Sequence, residues 1–331
     1  MRVAINGFGR IGRAVFRMLD DIQEIEVVAI NDLADDETLA YLLRHDTVMG
    51  SFQGKAEIQG DILVTANQKV KMLQEPVPAN LPWSELEIDY VVEATGIFRT
   101  RETISAHLTA GAKKVLLTVP AKDEIDATIV LGVNNSDLKP EHKIISNASC
   151  TTNCLAPLVY ILDKEFGIES GLMTTVHAYT NDQRLADVPH SDWRRARAAA
   201  ENTIPTTTGA ARAVGKVLPN MAGKLDGMAM RVPIPDGSVV DLVTIMKTDV
   251  TPDQVREAVK AAAESDRFKS ILRYATEPLV SSDIVGDPHS SIFDSEYTSV
   301  IGGNMLKTLS WYDNEWGYSN RVVDLLRLMD V

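Results

Sequence analysis

Apolar residues fall in two rhythms along this chain, and their alternation predicts its architecture. Short, nearly unbroken apolar runs at Val3-Ala4-Ile5, Val27-Val28-Ala29-Ile30, Val91-Val92 and Val115-Leu116-Leu117 predict strands buried inside a parallel sheet. Between the first two, Ile11, Val15, Met18, Leu19 and Ile22 keep helical spacing. The patchier stretch from Met49 to Val70 predicts an antiparallel excursion. Beyond residue 150 a helical apolar pattern precedes strand-like runs at Leu172–Val176, Gly227–Pro233, Ser238–Lys247 and Met305–Trp311. An amphipathic helix is predicted over Pro252–Ala263, and Val322, Val323, Leu325, Leu326 and Met329 predict a closing one. The fold class is α/β, in two halves with no repeat and no Pro/Gly linker between them.

The first strand–helix junction carries Gly7-Phe8-Gly9-Arg10-Ile11-Gly12, and the second strand delivers Asp32 about 20 residues after the last glycine. Glycines there allow a tight turn and close approach of backbone to a pyrophosphate, which the helix N-terminus holds. Asp32 suits the ribose hydroxyls of NAD and repels the 2′-phosphate of NADP, and Leu33 offers no compensating polar group. Thr95-Gly96 ends the strand at Val91, where ligands of parallel sheets bind.

Cys150 stands in Ser146-Asn147-Ala148-Ser149-Cys150-Thr151-Thr152-Asn153-Cys154, where an extended run hands over to a helix. Unpaired N–H groups and the macrodipole at that terminus favour a thiolate, so a lowered pKa is expected. Cys150 and Cys154 are the only cysteines, too few for a disulfide framework and without the spacing of a zinc site. No metal is expected, and a reducing, cytoplasmic setting is. Pro157 falls inside the expected helix, so the helix starts late or tolerates a kink.

At 331 residues the chain exceeds what one core usually supports. With 33 basic against 46 acidic residues the net charge is −13, which disfavours nucleic acid and anionic membrane as partners. No apolar run of about 18 residues marks a span, and from the opening strand pattern no leader is expected. Against this acidic background Arg184, His190, Arg194, Arg195 and Arg197 crowd one stretch, shortly after His177, and Arg231 follows a strand. Arginine clusters commonly make surface or subunit ion pairs; proximity to His177 favours an anion site for at least two of them.

These motifs, with Thr175 to Gln183, Pro205-Thr206-Thr207-Thr208-Gly209-Ala210 and Trp311 to Tyr318, make the chain resemble the phosphorylating glyceraldehyde-3-phosphate dehydrogenases over essentially its whole length. The resemblance implies a Rossmann-type NAD-binding domain over 1–149, joined by a C-terminal helix at 315–331. It further implies an α+β catalytic domain with a mixed or antiparallel sheet over 150–314. Cys150 would attack the aldehyde to give a thiohemiacetal, and His177 would take the hydroxyl proton as hydride leaves. Inorganic phosphate would then resolve the thioester. By the same resemblance Thr180, Arg195 and Arg231 hold the substrate phosphate, while Ser149, Thr151, Thr208 and Gly209 hold the attacking one. Gly7, Gly9, Arg10, Ile11, Gly12, Asp32, Thr95, Gly96, Thr118, Asn181 and Asn314 contact the cofactor, Asn314 at the nicotinamide carboxamide. A loop from about Asn181 to Glu201 that crosses subunits implies a homotetramer.

The nearest rival, an erythrose-4-phosphate dehydrogenase, usually departs from the Thr180-Asn181-Asp182 and Thr206 to Gly209 patterns kept here. A cysteine hydrolase would have no use for the glycine fingerprint, and a non-catalytic NAD sensor none for Cys150 with His177. Met49, Trp193 and Pro235-Asp236-Gly237-Ser238 depart from the commoner family residues. They are expected to leave the chemistry untouched, the last two bearing on subunit contacts.

Overall fold

The computed structural model describes residues 1–330, and the chain divides into two units. The first contains β1 (Arg2–Asn6), α1 (Arg10–Asp20), β2 (Glu26–Asn31), α2 (Asp36–Arg44), β3 (Ala56–Gln59), β4 (Ile62–Thr65) and β5 (Lys69–Leu73). It continues with β6 (Tyr90–Glu93), α3 (Arg101–Thr109), β7 (Lys114–Leu117), β8 (Ala127–Thr128) and β9 (Ile144–Ser146). These strands form one sheet in the order β3-β4-β5-β2-β1-β6-β7-β9-β8. All neighbours from β5 to β8 run parallel, while β3, β4 and β5 pair antiparallel, the excursion expected from Met49 to Val70. Every residue of β6 is buried, so the strand shows no alternation of apolar and exposed polar positions, and Glu93 at its end is buried too.

Gly7 and Gly12 set the turn between β1 and α1. Gly7 has φ +94°, and a Cβ there would lie 2.7 Å from Thr95 N at the end of β6. A Cβ on Gly12 would lie 2.1 Å from the Gly7 carbonyl oxygen, so helix and turn pack backbone to backbone. A Gly12→Ala protein is expected to lose about 1–3 kcal/mol through this overpacking, read as an earlier first transition in urea. An unchanged midpoint would mean that the turn yields freely.

The second unit opens with α4 (Cys150–Phe166) and β10 (Ile168–Ala178), then β11 (Ile204–Thr207), α5 (Ala210–Val217), β12 (Leu225–Val232) and β13 (Ser238–Met246). There follow α6 (Pro252–Ala263), β14 (Leu272–Ala275), α7 (Ser281–Ile284), β15 (Ser291–Ile301) and β16 (Met305–Tyr312), after which α8 (Trp316–Leu328) lies mostly in the first unit. Its sheet runs β11-β12-β10-β13-β16-β15-β14, mostly antiparallel, with β10–β12 and β14–β15 parallel. Burial alternates strictly along β13, so one face of this sheet is packed and the other is not. α4 lies on the packed face against β13, β15 and β16, and is buried from Thr151 through Val159. It starts at Cys150 and keeps Pro157 in its interior. The choice left open by the sequence is settled for an early start, since burial on several sides supports a helix that propensity alone would break. α6 begins with a Thr251 cap, Pro252 at its first position and Gln254 closing a capping box.

The unit boundary falls between Ser149 and Cys150, with Val130–Asn134 in the second unit and the chain from Ser319 onward in the first. The return to the first unit thus begins inside α8 rather than at 315.

Candidate active site

Cys150 is the first residue of α4, presented by a backbone that turns sharply after β9. Ala148, two residues earlier, has φ +54°, a left-handed conformation costing roughly 1–2 kcal/mol for a side chain bearing a Cβ. His177 is the next-to-last residue of β10, directly beside Arg231 in the β10–β12 register. This pairing brings the thiol within 3.5 Å of the imidazole, Sγ to Nε2. His177 Nδ1 lies 2.7 Å from the Ala178 carbonyl oxygen and 2.6 Å from Arg231 Nη1, which also donates to that carbonyl. The tautomer with its hydrogen on Nδ1, bonded to that carbonyl, is the one that leaves Nε2 as the acceptor facing sulfur.

Charge around the pair differs from the expectation of a lowered thiol pKa. Burial pushes the Cys150 thiol up, opposed by the Arg231 charge and by hydrogen bonds from Thr151. Burial, seconded by the Arg231 charge, pushes the His177 imidazole down to about 3. Both shifts favour the neutral thiol and the neutral imidazole over the ion pair. The helix terminus alone suggested otherwise because the sequence does not reveal how much water the fold removes. Cys154, one turn further along α4, is buried with its sulfur 3.6 Å from both Ser291 Oγ and the Ser310 carbonyl, and burial pushes its thiol up too.

Tyr312, one residue of the Trp311 to Tyr318 motif, ties the site together. Its hydroxyl lies 2.8 Å from both Thr151 Oγ1 and Thr175 Oγ1, and its ring meets His177 edge-on. Thr151 is buried, its Oγ1 shared between the Tyr312 hydroxyl and, at 3.9 Å, the Cys150 sulfur. Arg231 is half-buried among these groups, donates to the Ala178 oxygen at 3.1 Å, and has no partner for its Nε.

The arginine stretch separates into two kinds. Arg195 reaches inward: its Nε donates to Thr206 Oγ1 at 2.9 Å and it pairs with Asp182. Its charge adds to the burial that lowers the Arg231 pKa. Arg184 caps the Pro189 carbonyl, Arg194 the Pro205 carbonyl, and Arg197 pairs with Asp187 on the surface. Thr180 follows β10 and donates its N–H to Gln183, while Asn181 is exposed. Thr208 and Gly209 form the turn from β11 into α5; Gly209 is the N-cap and offers no side chain, and Thr208 Oγ1 accepts from Ala210 N.

Asn314 is buried, its N–H donating to Asp236 Oδ1 at 3.1 Å and its Oδ1 accepting from Ser238 Oγ at 2.5 Å. Asp236 was expected to bear on subunit contacts and to leave the chemistry alone. It is instead buried within the chain and bonded to Asn314. Trp193, the other departure, is 87% exposed on the loop.

In the first unit the glycine turn forms a cradle for an anion. α1 starts at Gly9 with no side-chain cap and no acidic residue in its first turn, and a Cβ on Gly9 would meet nothing within 4 Å. Ile11 lies in that turn, and Arg10 pairs with Asp46. Asp32 Oδ2 accepts from Phe8 N at 2.7 Å, tying the end of β2 to the turn. A buried network that the sequence did not disclose anchors both strand ends. Trp83 Nε1 donates to His107 Nδ1 at 3.0 Å, so the ring hydrogen on Nε2 faces Glu93 Oε2 at 3.1 Å. Glu93 also accepts from Asn6 and from Thr95 N, while Thr118 Oγ1 donates to the Glu93 carbonyl. Gly96 follows with φ +69°. The site fits a dinucleotide: open backbone at a helix start, and a carboxylate at the tip of the next strand. Among the described residues no His, Cys, Asp and Glu cluster is arranged to hold a metal.

Comparison with known proteins agrees over the full length. Residues 1–101 match the family "Glyceraldehyde 3-phosphate dehydrogenase, NAD binding domain", and residues 149–314 match "Glyceraldehyde 3-phosphate dehydrogenase, C-terminal domain". Glyceraldehyde-3-phosphate dehydrogenase of Streptomyces coelicolor is 56% identical over 327 residues, 98% of this chain and 97% of that protein. The Mycobacterium avium protein of the same name is 56% identical over 336 residues, 99% and 98% of the two chains. Glyceraldehyde-3-phosphate dehydrogenase 2 of Bacillus subtilis is 56% identical over 330 residues, 99% and 96%.

Proposed function

The chain belongs to the glyceraldehyde 3-phosphate dehydrogenase family, and from that premise we infer how its own residues carry the reaction. It is an NAD-dependent oxidoreductase that oxidises glyceraldehyde 3-phosphate. The observation that carries the assignment of roles is the Cys150 Sγ to His177 Nε2 approach of 3.5 Å.

His177, neutral at working pH, accepts the thiol proton as sulfur attacks the aldehyde carbon. The proton passes to the new oxyanion, giving the thiohemiacetal, because an imidazolium beside Arg231 is disfavoured. Nε2 then removes the hydroxyl proton as hydride leaves carbon and a thioester forms. NAD, when bound, supplies the hydride acceptor, held by Gly7, Gly9, Arg10, Ile11, Gly12, Asp32, Thr95, Gly96 and Thr118, with Asn181 and Asn314 at its nicotinamide end.

Arg231, Arg195 and Thr180 bind the substrate phosphate; the unpartnered Nε of Arg231 supports this reading. Ser149, Thr151, Thr208 and Gly209 receive the inorganic phosphate that attacks the thioester, Gly209 bringing no side chain to the start of α5. The product is an acyl phosphate and the thiolate leaves. In Thr151 the backbone rather than the buried hydroxyl serves this role.

A homotetramer fits the apolar groups left uncovered, among them Leu185, Trp193, Leu172, Ile301 and Tyr297. A cytoplasmic setting fits two free thiols.

The test is initial-rate NADH formation from glyceraldehyde 3-phosphate with and without phosphate or arsenate. We expect about one NADH per site and then a stall when the anion is withheld. Sustained turnover indifferent to the anion would mean that water resolves the thioester, which overturns the anion site and reopens erythrose 4-phosphate as substrate.

A further inference from the structure

Two carboxyl groups lie buried together beneath Asn314. Asp236, on the turn between β12 and β13, is 2% exposed, and Asp313, between β16 and α8, is 1% exposed. Asp313 is saturated with donors: its Oδ1 accepts from Glu315 N at 2.8 Å and Trp316 N at 2.5 Å, and its Oδ2 from Gly286 N at 2.7 Å. Three backbone N–H groups thus occupy both of its oxygens. Asp236 is different. Its Oδ1 accepts from Gly237 N at 2.8 Å and Asn314 N at 3.1 Å, but nothing donates to its buried Oδ2.

An ionised Asp236 would therefore leave a buried anionic oxygen with no donor beside a second carboxyl group. With a proton on Oδ2 the same atom becomes the donor that Asp313 can accept. Burial, then the charge and hydrogen bond of Asp313, then the Glu315 charge, push the Asp236 carboxyl up to about 9. The Cys150 thiol also feels Asp236, whose charge pushes it up, while the carboxyl groups of α7 and the segment after it are already bonded or paired. Asp283 of α7 accepts from Val280 N, and Asp287 is paired with Arg273 and His289. The turn has no slack to relax: a Cβ on Gly237 would lie 2.1 Å from the Ser281 carbonyl oxygen.

The consequence runs to the cofactor side of the site. Asp236 fixes the backbone of Asn314, and Ser238 fixes its side-chain oxygen while accepting from Ala178 N at 3.1 Å, next to His177. The Asn314 amide is thus oriented with its NH₂ turned away from Ser238. We propose that Asp236 is a positioning residue for Asn314, holding a proton that it shares with Asp313, and that loss of this proton releases Asn314 from the pose that meets the nicotinamide carboxamide. The proposal rests on the reading of Asn314 as a nicotinamide contact.

The experiment measures KM for NAD from about pH 8 to about pH 10 in wild type, Asp236→Asn and Asn314→Ala, each ratio taken against that enzyme's own value at the lower pH. Asparagine keeps a donor toward Asp313 at every pH. Wild-type KM for NAD is expected to rise about tenfold across this window and that of D236N to stay flat. Parallel profiles in the two enzymes would overturn the proposal. Infrared difference spectra of the wild type over the same window read the proton directly. A protonated-carboxyl band should vanish on raising the pH, and its absence at neutral pH would also overturn the proposal. An N314A enzyme with wild-type KM for NAD would instead remove the Asn314 reading, whatever the infrared band does.

Discussion

A Cys150→Ser enzyme is expected to form NADH on the order of 10⁴-fold more slowly than wild type, with cofactor affinity unchanged. Serine occupies nearly the same volume at the first turn of α4, so the fold has no reason to change. What is lost is the nucleophile: a hydroxyl gives up its proton far less readily than a thiol, and the neutral imidazole 3.5 Å away cannot make good the difference. NAD binding should persist, because the glycine turn, Asp32 and the Glu93 network belong to the first unit and do not involve sulfur. Single-turnover NADH formation alongside NAD titration checks both statements. A rate within tenfold of wild type would mean that the aldehyde is not oxidised through a covalent bond to this residue. Alkylation gives a companion check, since Cys150 is half-buried and Cys154 sealed, so label should appear on Cys150 alone.

Replacing His177 by asparagine should lower kcat by about 10²–10⁴-fold and change the shape of the pH profile. In the wild type, Nε2 is unprotonated at every pH near neutrality, because burial and Arg231 hold the imidazole down to about 3. It can therefore accept the proton of a thiol that burial has made a weaker acid. Without that acceptor, reaction depends on thiolate formed by water, so activity of H177N should climb steadily toward alkaline pH. Stability should respond as well. The folded pKa of His177 lies below the unfolded value of 6.5, so its contribution is present above about pH 6.5 and is lost as pH falls toward about 3. Acid unfolding of H177N should accordingly be shallower across that range. A variant with the wild-type pH profile and near-wild-type kcat would remove His177 from the proton path.

Some elements were legible at once for identifiable reasons. β1, β2, β6 and β7 are short apolar runs because a parallel sheet buries both faces. α6 is legible from its cap, its proline and its stripe, and its bounds match those predicted. β15 was not found. Its run Ser291–Ile301 mixes polar and apolar residues without period, because its register with β16 shifts between Asp294 and Ser299. β11 and α5 hid inside Thr206-Thr207-Thr208-Gly209, a string that suits a helix cap, a strand end or an anion turn equally, and serves as strand, turn and cap in succession.

By itself the sequence determined which chemistry this protein performs: a cysteine at a helix start, a histidine, a glycine turn with its acidic partner, and long unbroken family motifs. Such features are local in the chain, and their residue types are dictated by the atoms they must meet. The tertiary structure alone decided the electrical state of those residues. That the neutral forms of Cys150 and His177 are favoured, that Tyr312 joins Thr151 to Thr175, and that Asp236 lies under Asn314 all depend on pairings between distant strands and on water removed by packing. Desolvation and through-space charge are sums over neighbours that only the folded chain assembles.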